Sequence, residues 1–234
     1  MKDYSEFFTV LYEDNHLIAV NKKNGVLVQG DETGDTPLSE HVKEYIREKY
    51  QKPGNVFCGV IHRLDRPVSG LVLLAKTSKA LERMNKLFHD KDIQKTYWAV
   101  VKNKPAQPSG KLVHWLTKDS KKNVARAHDK EVKESKRCEL TYRLIFSTDN
   151  YHLLEVKPVT GRAHQIRCQL AAMGCPIKGD LKYGFPRSNE NGGINLHAYQ
   201  LEFDHPVTKE KTKITAPPPD EPFWGLFSDA AAVK

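Results

Sequence analysis

A carboxylate set between two guanidinium groups is a unit of chemistry, and Asp65 sits in one. The run reads His62-Arg63-Leu64-Asp65-Arg66-Pro67-Val68-Ser69-Gly70 and passes at once into the apolar stretch Leu71-Val72-Leu73-Leu74-Ala75-Lys76. Flanking cations favour the ionised form of an acid. A strand directly behind the loop can fix the direction in which the acid points. An oriented, ionised carboxylate can serve as a nucleophile or a general base. In isolation, an aspartate among turn-forming residues reads equally as a loop or capping residue.

Three further segments concentrate reactive side chains: Lys95-Thr96-Tyr97-Trp98-Ala99, Gly161-Arg162-Ala163-His164-Gln165-Ile166-Arg167, and Gly174 to Gly184. Arg162 and Arg167 are five positions apart, so on a helix they point in different directions and should do different jobs. One can reach an active-site carboxylate while the other contacts phosphate or braces the loop. Arg162 is also a candidate to bridge Asp180. His62 and His164 have no second ligand three or four residues away, so packing or orientation is expected of them rather than metal binding. Cys58, Cys138, Cys168 and Cys175 form no CxxC pair and read as free, mostly buried thiols.

The elements that must position these residues follow from periodicity. Phe8–Tyr12 and Leu17–Val20 are β-rich runs split by the turn-like Glu13-Asp14-Asn15-His16, and Asn24-Gly25 is a further turn. Thr36 is expected to cap a helix with Pro37 at its first position and Leu38, Val42, Tyr45 and Ile46 on its buried face; Gln51-Lys52-Pro53-Gly54 ends it. Val60-Ile61 and Leu71–Ala75 frame the Asp65 loop as strands. A second helix opens at Thr77 or Ser78 with Leu81, Met84, Leu87 and Phe88 on one side. Lys95–Val101 is a strand, Cys138–Phe146 and Tyr151–Val156 form a hairpin, and Gly161–Met173 is a turn leading into a helix. Asn195–Phe203 is another strand, Ala216-Pro217-Pro218-Pro219 stops the last one, and Phe223-Trp224 can pin the tail to the core. Strands dominate and no regular βαβ alternation occurs, which is α+β with a mixed or largely antiparallel sheet. The absence of repeats, linkers and composition breaks points to one domain over residues 1–234, with its core at about 8–217.

The chain of 234 residues carries a formal net charge of +8 and 39% hydrophobic residues, the composition of a soluble globular protein with polyanionic partners. No apolar run is long enough to cross a bilayer, and the polar start Met1-Lys2-Asp3-Tyr4-Ser5-Glu6 lacks a secretory core, so a cytoplasmic location is expected. Charge is densest between Thr117 and Arg137, which reads as a solvated loop or as a phosphate-contacting flap. No Rossmann glycine fingerprint, Walker loop or HExxH spacing is present, so no cofactor and no metal are expected.

Taken together, HRLDRPVSGLVLLAKT, KTYWAVV, GRAHQIRCQLAAMGCPIKGDLKYG and NLHAYQLEFDHP resemble the motifs of the RluA family of RNA pseudouridine synthases, from about residue 8 to 217. The resemblance implies that family's α+β catalytic fold, with a long mixed sheet and a central RNA-binding cleft, and isomerisation of uridine to pseudouridine in structured RNA, ribosomal or transfer. With the similarity beginning near residue 8, a stand-alone catalytic domain without the S4 RNA-binding module that many relatives carry is expected, and a monomer is the default expectation. Asp65 matches the aspartate that attacks the target nucleotide or otherwise initiates cleavage of its glycosidic bond, Tyr97 the tyrosine that packs on the base and can take the C5 proton, and Arg167 the arginine that pairs with the aspartate. Arg63 matches the residue that fills the gap left by an extruded nucleotide, and Leu196 an apolar neighbour of the base. Arg66, Arg162, His164 and Gln165 complete the expected RNA-contacting set. Such an enzyme must flip its target out of the stack, and an aromatic ring can hold the freed base. The alternative is a catalytically silent RNA-binding protein on the same scaffold. Two departures stand out: Val68 where many members have threonine, and Asn21-Lys22-Lys23-Asn24-Gly25 where Lys-Pro-x-Gly is more usual. The second is expected to touch turn rigidity and leave the active site alone.

Overall fold

A computed structural model describes residues 2–227. Among these residues lie eleven strands and four α-helices, and they fall into two compact units. The first comprises Met1–Lys95 with Ala198–Pro219, and the second Thr96–His197 with the segment from Asp220.

The first unit is built around β4 (Ser69–Ala75), in which every residue is buried. β2 (Leu17–Lys22) runs antiparallel along it with Leu17 opposite Ala75 and Lys22 opposite Gly70. β1 (Phe8–Glu13) flanks β2 on its other side, and the short β3 (Gly59–Val60) pairs with the C-terminal end of β4. A strand buried on both faces reads as an unbroken apolar run, which is why Leu71–Ala75 shows no alternation. α2 (Ser78–Asp90) covers one face, packing Ala80 and Met84 against Leu71, Leu73 and Ala75, with Leu81, Leu87 and Phe88 at the margin as the periodicity predicts. Its cap is Thr77, whose hydroxyl accepts from the Ala80 N–H at 3.2 Å. α1 (Leu38–Tyr50) buries Leu38, Val42 and Ile46, but Pro37 occupies its N-cap and no side chain closes it, so the capping role expected of Thr36 is not realised. Gly70 explains its place in the motif: its φ is +113°, and a Cβ there would collide with the main chain of Ala198 in β10 (Leu196–Asp204). β11 (Lys211–Thr215) pairs antiparallel with β10 and stops before the prolines.

The second unit is an antiparallel array in the order β5 (Gln94–Val101), β9 (His152–Pro158), β8 (Lys136–Ser147), β6 (Ser109–Asp119) and β7 (Val124–His128). The β8–β9 hairpin matches the sequence reading. β6 and β7 do not: the charged 117–137 segment is largely a paired hairpin rather than a loop, with Leu116 and Ala127 opposite each other on its inner side and Thr117 and Arg126 on its outer side. α3 (Gln165–Ala172) packs Cys168 against Leu116, Ala125 and Cys138. All four cysteines are buried free thiols. α4 (Pro222–Gly225) buries Trp224, which meets His197 edge-on at 5.9 Å between ring centroids.

Candidate active site

In the first unit, Asp65 sits half-buried in the loop between β3 and β4, where its carbonyl accepts from the Val68 N–H at 3.0 Å and closes a turn. Leu64 and Val68 on either side are buried and anchor that turn. His62 is a packing residue: its Nε2 accepts from the Leu73 N–H at 3.0 Å, and its ring stacks on Phe88 at 5.1 Å. Burial, aided by Lys95, pulls the His62 imidazole down to about 3, which keeps it neutral and able to accept. Arg63 is exposed.

Arg66, expected to face phosphate, has two partners in the protein. Its Nε donates to the Gly25 carbonyl at 3.0 Å, and its terminal nitrogen pairs with Asp35 at 2.7 Å, with both side chains about half exposed. The Gly25 N–H in turn donates to the Arg66 carbonyl at 2.8 Å. That same carbonyl receives the ammonium of Lys22 at 3.3 Å. The Asn21–Gly25 segment is therefore bonded to the Asp65 loop through Lys22 and Gly25, whereas Lys23, at the departure, donates its N–H to the Phe7 carbonyl. Sequence reasoning missed Lys22 because a lysine closing a strand is ordinarily a surface residue.

In the second unit, Tyr97 lies on β5 opposite Val156 of β9 and is half-exposed, whereas Thr96, Trp98 and Ala99 around it are buried. Arg167 is buried on α3, and its Nε and terminal nitrogen donate to the two carboxylate oxygens of buried Asp180 at 2.7 and 2.8 Å. The Tyr183 ring lies 5.0 Å from its guanidinium carbon. Arg167, not Arg162, thus holds Asp180. Arg162 is exposed in the turn before the helix, so the two arginines lie in different surroundings.

The turn itself is built by Gln165. Buried at the start of α3, its amide accepts from the Thr160 hydroxyl at 2.8 Å and the Arg162 N–H at 3.1 Å, and donates to the Glu139 carbonyl at 3.1 Å. His164 occupies the left-handed region with φ +55° and contacts the Tyr183 hydroxyl through Nδ1 at 2.8 Å. Tyr183 also accepts from the Ala125 N–H at 2.8 Å, and burial pushes its phenol up to about 12. The GDLKYG segment is therefore a scaffold for Arg167: Asp180 grips its fork and Tyr183 backs its plane. Leu196, at the start of β10, is buried. Among the described residues no group of three or more His, Cys, Asp or Glu is placed to hold a metal ion, and no helix is long and apolar enough to cross a membrane.

Comparison with known proteins gives concordant matches. The model of the RNA pseudouridylate synthase family matches residues 16–172. The ribosomal large subunit pseudouridine synthase C of Vibrio vulnificus is 33% identical over 215 residues, covering 89% of this chain and 65% of the relative. The chain thus spans about 65% of the length of that relative. The tRNA pseudouridine synthase C of Yersinia pestis is 32% identical over 237 residues, covering 94% of this chain and 89% of the relative. Among solved structures, human RNA pseudouridylate synthase domain containing 4 aligns with a TM-score of 0.75 at 21% identity, over 90% of this chain and 88% of that one. That likeness speaks for the α+β fold.

Proposed function

Because the chain belongs to the RNA pseudouridylate synthase family, in its RluA branch, we propose that it isomerises uridine to pseudouridine in structured RNA. The observation that carries this reading is the Asp65 turn: a half-exposed carboxylate on a loop anchored by buried Leu64 and Val68. The relatives' names divide between ribosomal and transfer RNA, and both remain substrates of this proposal. We take the two units as one catalytic domain, since the family match runs without interruption from residue 16 through 172. The protein acts as a cytoplasmic monomer without cofactor or metal.

The chemistry is redox-neutral. Asp65 attacks the target nucleotide or otherwise initiates cleavage; the glycosidic bond to N1 breaks, the freed uracil turns, and a new bond forms from C1′ to C5 as any bond from Asp65 breaks and its carboxylate is released. The proton on C5 then leaves as N1 gains one, so atoms balance without a co-reactant. Tyr97, half-exposed on its strand, is assigned to the base and its C5 proton. Arg167 is assigned to the catalytic carboxylate, and its bidentate hold on Asp180 supports that role by fixing the guanidinium in one orientation. Arg63 is assigned to the gap in the RNA stack, Leu196 to the base, and Arg66, Arg162, His164 and Gln165 to the RNA-contacting region. For Gln165 the contribution is to shape the loop, given its internal bonds.

Incubation with RNA carrying tritium at uridine C5 tests the reading. Wild-type protein should release tritium and Asp65→Ala should not. Binding without release would favour a silent RNA-binding protein, and free uracil would favour a hydrolase.

A further inference from the structure

Resting on that RNA-directed reading, we propose that the outer face of the β7–β6–β8–β9 sheet is a second RNA-binding surface. On it, single-stranded RNA outside the target stem stacks a base on Trp115 and lays its phosphates along Arg126, Arg137 and Arg143.

Strand register separates the two faces, because residues directly opposite one another share a face and successive residues alternate. Tyr97, Val156, Tyr142 and Gly110 stand in one row across the sheet. Leu116 of β6 lies on that same inner face, where Cys168 of α3 packs on it. Tyr97 and the helix that carries Arg167 therefore share the inner face of this unit. Trp115 belongs to the other. It stands between His128 of β7 and Arg137 of β8, and two residues along β6 Thr117 stands opposite Arg126. On the same face, Lys111 lies opposite Thr141, and Arg143 opposite Glu155 of β9.

This outer face offers an open aromatic ring among cations. Trp115 is part-exposed, whereas the other two tryptophans of the chain, Trp98 and Trp224, are buried. Among the described residues no ring or cation stacks on the Trp115 indole, and its N–H has no partner. Arg126 is exposed, and its guanidinium also has no partner among those residues. The other cations are anchored by carboxylates. Lys111 and Arg137 pair with Glu139 at 2.6 and 2.9 Å, and Arg143 and Lys157 pair with Glu155 at 3.2 and 3.6 Å. All four cations stay slightly more than half exposed, but the two glutamate side chains are only 15% and 9% exposed. With Arg126, five cations stand against two carboxylates, and the layer that meets solvent is mostly positive. An aromatic ring in a cationic field is what single-stranded nucleic acid needs: bases stack on the ring, and phosphates release counterions to the cations. A planar ring with a free donor suits a base better than an acidic side chain, which favours RNA over an acidic protein.

The test is a fluorescence titration of the full chain with single-stranded oligoadenylate, which offers the active site no uridine. Because Trp98 and Trp224 are buried, quenching reports on Trp115. Wild type should be quenched and Trp115→Phe should not. Labelled oligoadenylate should bind Trp115→Ser, and the double variant Arg126→Gln/Arg137→Gln, about tenfold or more weakly than wild type. The double variant should also show a shallower salt dependence, by about 0.7 in logarithmic slope for each arginine removed. An oligoadenylate tail added to a substrate stem-loop should lower KM for tritium release about tenfold in wild type and not in the double variant. Absence of quenching in wild type overturns the proposal, as does a double variant that binds like wild type. Polyglutamate that quenches Trp115 as strongly as oligoadenylate would assign the face to an acidic protein and also overturn it. The wild-type titration needs no variant, so it decides even where a substitution prevents folding. Quenching by oligoadenylate with no tritium release from any RNA would overturn the catalytic reading and leave this surface standing.

Discussion

Arg167 donates to both carboxylate oxygens of Asp180, at 2.7 and 2.8 Å, with both side chains out of contact with water. A guanidinium held by a two-point fork has one orientation, which an ammonium cannot reproduce. The consequence is that Asp180, thirteen residues beyond Arg167, governs the direction in which Arg167 points.

Asp180→Ala should therefore be costly in two separable ways. Removing one member of a buried ion pair destabilises by about 3–5 kcal/mol. The surviving folded protein should lose single-turnover rate while RNA affinity stays near that of wild type. Arg167→Lys should show the same loss of rate with a smaller loss of stability, because charge is kept and the fork is not. Thermal melts and rate measurements on both variants check this.

Asp35 competes for Arg66. The pair is half-exposed on both sides, so it adds well under about 1 kcal/mol to stability. Asp35→Asn should leave the melting temperature unchanged and tighten RNA binding, most visibly at low salt, where phosphate contacts weigh most. An unchanged affinity would mean that Arg66 serves the Gly25 turn alone.

Glu13 predicts a stretch of the acid limb. Burial raises its carboxyl, but bonds from Lys49, Lys76 and Tyr50 outweigh burial and bring it from 4.5 to about 2. Its folded value is the lower one, so its stabilisation is complete above about pH 4.5 and is lost as pH falls towards 2. The shift corresponds to about 3 kcal/mol. Wild type should lose that much over this range, and Glu13→Gln should be less stable at neutral pH and flatter below it, as read by denaturant unfolding at each pH.

Gly70→Ala should fail to fold or unfold at low denaturant. The positive φ and the main chain of Ala198 leave no room for a methyl group, and relief would require parting β4 from β10. A cost of about 3 kcal/mol or more is expected. A soluble, active Gly70→Ala protein would contradict the close approach described here.

Much of this molecule was legible in its residues. The apolar run after Gly70, the helical spacing of Leu38, Val42 and Ile46, and that of Leu81, Met84, Leu87 and Phe88, each mark a buried face, because burial is what periodicity encodes. The motifs around Asp65, Tyr97 and Arg167 marked the candidate chemistry. The β6–β7 hairpin escaped notice because its outer face is charged and its inner face is small, so no apolar alternation announces it. What only the tertiary structure decided are the partners of charged groups. From sequence, Lys22 carries no assigned role, Arg162 is the candidate to bridge Asp180, and Arg66 is expected to contact RNA. Folding buries Lys22 among three carbonyls, gives Asp180 to Arg167 and sets Arg66 against Gly25 and Asp35. The reason is physical: an apolar side chain needs only to leave water, which local pattern can show, whereas a buried charge needs particular partners that distant parts of the chain must bring to it.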